Sequence, residues 1–178
     1  AMLTQSERVP TEELREGDRV KGYVVEVRRL SRGPQVLISR THPGLVKRLF
    51  ELEVPEIFDG LVEIKSIARE AGSRTKIAVS SDDSTVDPIG ACVGPKGGRV
   101  SAVVDELRGE KIDIIKYSDV PEEYIAAALA PADVNSVKML DEGKSCQVVV
   151  PDSQLSLAIG KEGQNVRLAA RLTGYKID

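Results

Sequence analysis

Two stretches of this chain are variants of one another. Around Gly94 it reads ACVGPKGGRVSAVVDELRGEKID, and around Gly160 it reads LAIGKEGQNVRLAARLTGYKID. Setting Gly94 on Gly160 brings Gly97 onto Gly163 and Val100 onto Val166. One inserted residue then aligns Leu107 to Asp113 with Leu172 to Asp178, where five of seven positions are identical. A duplication of this density requires one fold unit to be built twice.

The flanks repeat in kind. Strand-like runs Leu61 to Ile67 and Thr75 to Val79 are joined through Glu70-Ala71-Gly72-Ser73, and Ser136 to Leu140 and Cys146 to Val150 through Asp141-Glu142-Gly143-Lys144. A helical stretch precedes each strand pair. In the first copy Leu45, Leu49 and Leu52 recur at i, i+4, i+7, followed by a turn at Pro55-Glu56-Ile57. In the second, Pro121 suits a first helical turn, Glu122 and Glu123 sit at the positive end of the dipole, and Ile125, Ala128 and Leu129 share a face. After each glycine pair a helix resumes, with Val100, Val103, Val104 and Leu107 as its apolar stripe in the first copy. Gly109 and Gly174 are placed to end these helices, and β-rich runs follow at Lys111 to Ile115 and Tyr175 to Ile177.

Composition narrows the chemistry. The 178 residues are 41% hydrophobic and 30% charged, which suits a globular chain rather than a disordered or membrane-spanning one. The single histidine, His42, has no partners at ligand spacing, so no metal site is expected, and the absence of candidate general bases predicts no enzymatic activity and no cofactor. Cys92 and Cys146 lie in apolar runs and read as buried free thiols, which fits a reducing cytoplasm. The start, AMLTQSERVP, lacks the basic and apolar regions of a signal peptide, and no membrane partner is expected. Net charge is −3, yet residues 1–49 carry ten basic against six acidic side chains. Any contact with nucleic acid must therefore come from local features.

The order α-β-β-α-GxxG-α-β resembles the bacterial-type (type II) KH domain, over about residues 43–117 and again over 119–178. Glycines let a loop adopt φ angles closed to other residues and bring a phosphodiester close to the backbone, while the next helix points its N–H groups there. The resemblance implies two clamps on the RNA backbone, Gly94-Pro95-Lys96-Gly97 with Gly98 and Arg99, and Gly160-Lys161-Glu162-Gly163 with Gln164 and Asn165. Pro95 removes one donor, and Glu162 is expected to face solvent or a helix N–H rather than a phosphate. Ile89, Val93, Ile77 and Val79 in one copy, and Leu157, Ile159, Val148 and Val150 in the other, are either a groove floor for bases or core. Gln164, Arg167 and Arg171 fall on one helix face that is either a solvated polar face or a nucleic-acid contact.

Ahead of the repeats, Asp18 to Arg29 and Gln35 to Arg40 read as a hairpin joined by a basic turn from Arg28 to Gly33. Two strands alone are marginal, so the hairpin must pack on something. The runs ISRTHPGLVKRLFELEVPEI, IAREAGSRTKIAV, IGACVGPKGGRV, LRGEKIDII, ALAPA and QLSLAIGKEGQNVRLAARLTGYKID make the chain similar to the RNA-binding region of the NusA family of bacterial transcription elongation factors. That resemblance implies an α+β chain: a partial OB-type barrel segment over 1–42, a first KH domain over 43–117 and a second over 118–178. It implies a single-stranded RNA-binding module acting on the nascent transcript in termination and antitermination, with RNA polymerase and antitermination proteins as further partners. Against that family the sequence departs in extent. The polymerase-binding domain is missing and the segment before Asp18 is too short for the barrel's first strands, so the barrel is expected to be incomplete or the chain a fragment. The alternative reading is a KH scaffold for docking proteins, which the acidic balance favours; the glycines and loop lysines favour RNA.

Overall fold

The computed structural model describes residues 1–178. Strands β1 (Tyr23–Leu30) and β2 (Gly33–Ser39) form an antiparallel hairpin, and Met2 adds one parallel bridge to Leu37. The connection is tighter than the sequence suggests: Arg28, Arg29 and Leu30 belong to β1, Leu30 pairs with Gly33, and only Ser31 and Arg32 turn the chain. Cross-strand pairing has drawn Arg28 and Arg29 out of the expected loop and left Arg32 in the turn.

Two devices fasten the hairpin to the rest of the chain. Arg40, fully buried, donates to both Glu12 carboxylate oxygens at 3.0 and 2.7 Å, to the Lys21 carbonyl at 2.9 Å, and to the Glu106 carboxylate and carbonyl at 3.0 and 2.9 Å. His42 caps the next helix by accepting from the Gly44 N–H at 2.8 Å, and its ring stacks on Tyr23 with centroids 4.5 Å apart. The lone histidine is thus a cap and a packing surface.

The first repeat comprises α1 (Pro43–Glu53), α2 (Pro55–Phe58), β3 (Glu63–Glu70), β4 (Arg74–Ser80), α3 (Pro88–Val93), α4 (Gly98–Glu106) and β5 (Lys111–Lys116). Its sheet runs β3-β4-β5, antiparallel then parallel. The second has α5 (Pro121–Ala128), β6 (Ser136–Met139), β7 (Ser145–Val149), α6 (Leu155–Ile159), α7 (Gln164–Thr173) and β8 (Lys176–Ile177), with the same strand order and directions. No helix is long and apolar enough to cross a membrane.

The first core gathers Leu45, Val46, Leu49 and Phe50 of α1 with Val54, Val62, Ile77, Val79, Cys92, Val103 and Leu107. Leu52 is not among them; it is 70% exposed, and Val54, just past the helix end, enters the core in its place. Leu52 lies between the buried Phe50 and Val54 but on the face of α1 turned away from the core. Both cysteines are free and buried, and burial pushes the Cys92 thiol up to about 11.

The second core crosses the repeats. Ala68, Ala78 and Ile115, on the face of the first sheet turned away from α1, pack with Tyr124, Ile125, Ala128 and Leu129 of the α5 region, Cys146, and Leu168, Ala169 and Leu172 of α7. Polar contacts from Ser66 and Lys76 of the first repeat cross the same seam, and one from Tyr124 closes it within the second. The Ser66 and Tyr124 hydroxyls both donate to the Leu172 carbonyl, at 2.9 and 3.1 Å. The buried Lys76 ammonium donates to Asp113 at 2.8 Å and to the Ala130 carbonyl at 2.7 Å. Burial alone would push the Asp113 carboxyl up, but hydrogen bonds and charge from Arg74 and Lys76 hold it below the ordinary carboxylate range. A continuous apolar interface with polar contacts along it fixes the two repeats against each other without a spacer.

Candidate nucleic-acid interface

The two GxxG loops have the same backbone. Gly94 has φ 75° and ψ 172°, Gly160 φ 78° and ψ 169°. The third residues, Lys96 and Glu162, both have φ 55° and ψ 27°, and the last glycines have φ 71° and ψ 14° at Gly97, φ 74° and ψ 13° at Gly163. The first glycine thus occupies a region essentially closed to other residues, while the third and fourth positions are left-handed, a conformation that Asn and Asp also tolerate.

The surroundings separate the glycines further. A Cβ on Gly94 would meet the Arg99 side chain at 2.5 Å, and one on Gly160 the Asn165 backbone nitrogen at 2.7 Å. At Gly97 nothing lies within 4 Å, and at Gly163 only an Arg167 guanidinium nitrogen at 3.9 Å. The first glycine of each pair lets the loop close on its own helix; the second leaves open space over the helix start. Gly160→Ala is accordingly expected to destabilise the second repeat by about 2–4 kcal/mol, and Gly163→Ala by about 1 kcal/mol. Thermal melting of the two variants distinguishes them, and equal losses would refute the division of labour.

Gly97 and Gly163 stand at the N-caps of α4 and α7, and neither helix start carries a side-chain cap. Their first amides therefore have no side-chain acceptor, and the positive end of the helix dipole lies beside the exposed Lys96 in one copy and Lys161 in the other. Pro95 and Gly98 are exposed in the first loop, and Glu162 is exposed in the second with no side-chain hydrogen bond to a helix N–H.

Three of the expected contact residues are engaged elsewhere. Arg99 donates to the Ala91 carbonyl at 2.7 Å and to Glu56 at 2.9 Å, bracing the first loop from behind. Asn165, 2% exposed, sits at the matching position and donates to the Ala158 and Leu129 carbonyls, each at 3.0 Å. Gln164 reaches across the seam to the Ser73 hydroxyl at 2.7 Å. Arg167 does likewise, with its Nη2 2.6 Å from a Glu70 carboxylate oxygen. The polar face read at Gln164 and Arg167 is an interface between the repeats, which no spacing within one helix could reveal.

The aliphatic residues also divide. Ile77 and Val79 are wholly buried in the first core and cannot floor a groove. Ile89 and Val93 are half-buried. In the second repeat Val148, Val150, Ile159, Leu155, Val166 and Ile177 line an apolar depression of about 80 Å³, while Leu157 is exposed outside it. The depression offers a shallow apolar surface beside the second loop.

Comparison with known proteins matches this geometry. A model of the NusA-like first KH domain matches residues 40–117 and one of the NusA-like second KH domain residues 121–178. The chain is 61% identical to the transcription termination/antitermination protein NusA of Halalkalibacterium halodurans, over 100% of its own length and 47% of that protein. It is 59% identical to the Bacillus subtilis protein of the same name, over 100% of the chain and 48% of that protein, and 52% identical to that of Thermus thermophilus, over 99% and 46%. The chain spans about half the length of these curated relatives. Among solved structures, the crystal structure of APE1850 shares the fold with a TM-score of 0.52 at 22% identity, covering 74% of this chain and 92% of that one.

Proposed function

We propose, for a chain that belongs to the NusA family, that it is a single-stranded RNA-binding module of a transcription elongation, termination and antitermination factor. It grips the nascent transcript through the loops Gly94–Gly97 and Gly160–Gly163. The observation that carries this reading is the pair of loops: two copies of one backbone, each with an unobstructed second glycine over an uncapped helix start. Lys96 and Lys161 supply charge, and the exposed loop residues Pro95, Gly98 and Glu162 border the strand. Arg99 and Asn165 support the loops from behind, and Gln164 anchors the second loop to the first repeat. Residues 1–42 would act as the barrel segment, 43–117 and 118–178 as the two KH domains. The family resemblance adds RNA polymerase and antitermination proteins as partners in the cytoplasm, and no catalytic step.

The test is RNA titration of loop variants. Gly97→Asp and Gly163→Asp each add repulsive charge in open space at a left-handed position that Asp tolerates, so each should weaken binding while circular dichroism stays native. Lys96→Ala should lower affinity alike for all sequences and make the salt slope shallower by about 0.7, the value for one lost single-strand phosphate contact. Unchanged affinity in both glycine variants would remove the clamp assignment; a loss confined to one RNA sequence would make Lys96 a base reader.

A second reading, docking of a protein, is favoured by one feature of the first repeat. Leu52 and Phe58, at the ends of α1 and α2, are 70% and 80% exposed. Loss of RNA polymerase binding in Phe58→Ala with unchanged RNA affinity would support it.

A further inference from the structure

The two loops share a backbone but are held differently. The first is braced within its own repeat, through Arg99 to Glu56 and to the Ala91 carbonyl. The second has the equivalent internal brace in Asn165, and a further one that leaves the repeat. Arg167 donates through Nη1 to the Glu162 carbonyl at 3.0 Å, inside the loop, and through Nε and Nη2 to one oxygen of Glu70 at 3.2 and 2.6 Å, on the first repeat. In the first copy Ser101 and Ala102 stand where Arg167 would align, and neither can reach in this way.

The far end of the brace is itself rigid. Glu70 and Ser73 belong to the β3–β4 turn, which the buried Glu110 carboxylate locks by accepting from the Gly72 N–H at 2.7 Å, from Thr75 at 2.6 Å and from Arg69 at 3.0–3.2 Å. The remaining Glu70 oxygen is buried without a hydrogen-bond partner, so its charge is committed to Arg167 alone. Gln164, the first residue of α7, is tied to the same turn through Ser73. Both ends of the loop-to-helix junction are therefore pinned to one turn of the neighbouring repeat.

We infer that Glu70, acting through Arg167, is a positioning residue for the second clamp, so that the first repeat sets the geometry with which the second grips RNA. This rests on the reading of Gly160–Gly163 as an RNA clamp. An arginine held between a carboxylate and a loop carbonyl keeps the loop in its left-handed form before the strand arrives; an arginine released from Glu70 is free to leave the carbonyl too. Positive charge near the loop would rise on removing Glu70, so electrostatics alone predicts tighter binding and the positioning role predicts weaker binding.

The experiment uses the full chain in a Gly97→Asp background, so that RNA affinity reports the second clamp. Adding Glu70→Ala should lower affinity for a short single-stranded RNA about threefold to tenfold, Arg167→Ala should do the same, and the pair together should lose no more than either alone. Amide hydrogen exchange in the wild-type background gives a readout independent of RNA. In Glu70→Ala the Gly163 N–H, which bonds the Gly160 carbonyl at 3.1 Å, should exchange faster, while the Gly97 N–H of the first loop stays as it was. Faster exchange with unchanged affinity would keep the brace and remove the RNA reading of this loop. Unchanged exchange, additive losses or tighter binding on removing Glu70 would overturn the inference, and Glu70→Gln, which keeps an acceptor at the same reach, should restore most of the protection.

Discussion

An RNA strand long enough to cross both clamps is expected to bind about a hundredfold more tightly than one that reaches a single clamp, because the second contact is then made at high effective concentration. The expectation follows from the shared core. Ala68, Ala78 and Ile115 are buried against α5 and α7, so the repeats cannot reorient and little freedom is lost when the second clamp engages. The short joint between Tyr117 and Asp119 itself predicts direct packing of the repeats, and by sequence alone a Gly/Ser spacer between Ser118 and Asp119 is expected to erase much of the advantage by lowering the effective concentration. The seam changes that expectation. Its contacts persist when the joint is lengthened, so the spacer alone should leave most of the advantage. Ala68→Arg, which forces a long charged side chain into a site 4% exposed, should part the repeats once the spacer is present and bring long-RNA affinity down toward the single-clamp value. Affinity would be measured against RNA length for the native, spacer and spacer-plus-Arg chains. Affinity that does not grow beyond one site in the native chain would show that the clamps do not share a strand.

The largest stability effect is expected at Arg40. Its guanidinium is wholly buried and makes five hydrogen bonds that join the N-terminal segment, the hairpin and α4. Glu12, its main partner, has a side chain 3% exposed. Arg40→Ala would leave that carboxylate buried and uncompensated, at a cost of about 3–5 kcal/mol, lowering the melting temperature by about 10 °C for a chain of this size. Removing Glu12 as well should recover part of the loss, since the orphaned charge goes with it. Melting of the two variants by circular dichroism decides the matter: a loss under about 1 kcal/mol for Arg40→Ala, or a double variant weaker than the single by a full further increment, would refute the account.

Neither Arg40 nor Glu12 announces itself in the sequence, where each is one charge in a basic N-terminal stretch. The same holds for Glu110, which reads as part of a repeated LRGEKID run yet proves 1% exposed and accepts from three residues of the β3–β4 turn region. Buried ion pairs join residues distant along the chain, and local periodicity carries no record of the partner. The helix at Leu45 shows the milder form of this limit: its first turns were legible, but Leu52 depended on which face of the last turn the core covers.

Legible from the sequence alone was whatever is encoded within a few residues. The duplication, the strand pairs and their turns, and the glycines that stop α7 and open both loops follow from the conformations that Gly, Pro and β-branched residues allow. The loops are alike to within a few degrees because their glycine spacing is alike. Which face of each element is covered was settled by tertiary packing. Ile77 and Val79 became core, Asn165 became a support, and Gln164 and Arg167 became part of a seam with Glu70 and Ser73. The physical reason is that burial and charge pairing depend on what lies opposite, and here the opposite surface is the other copy of the repeat.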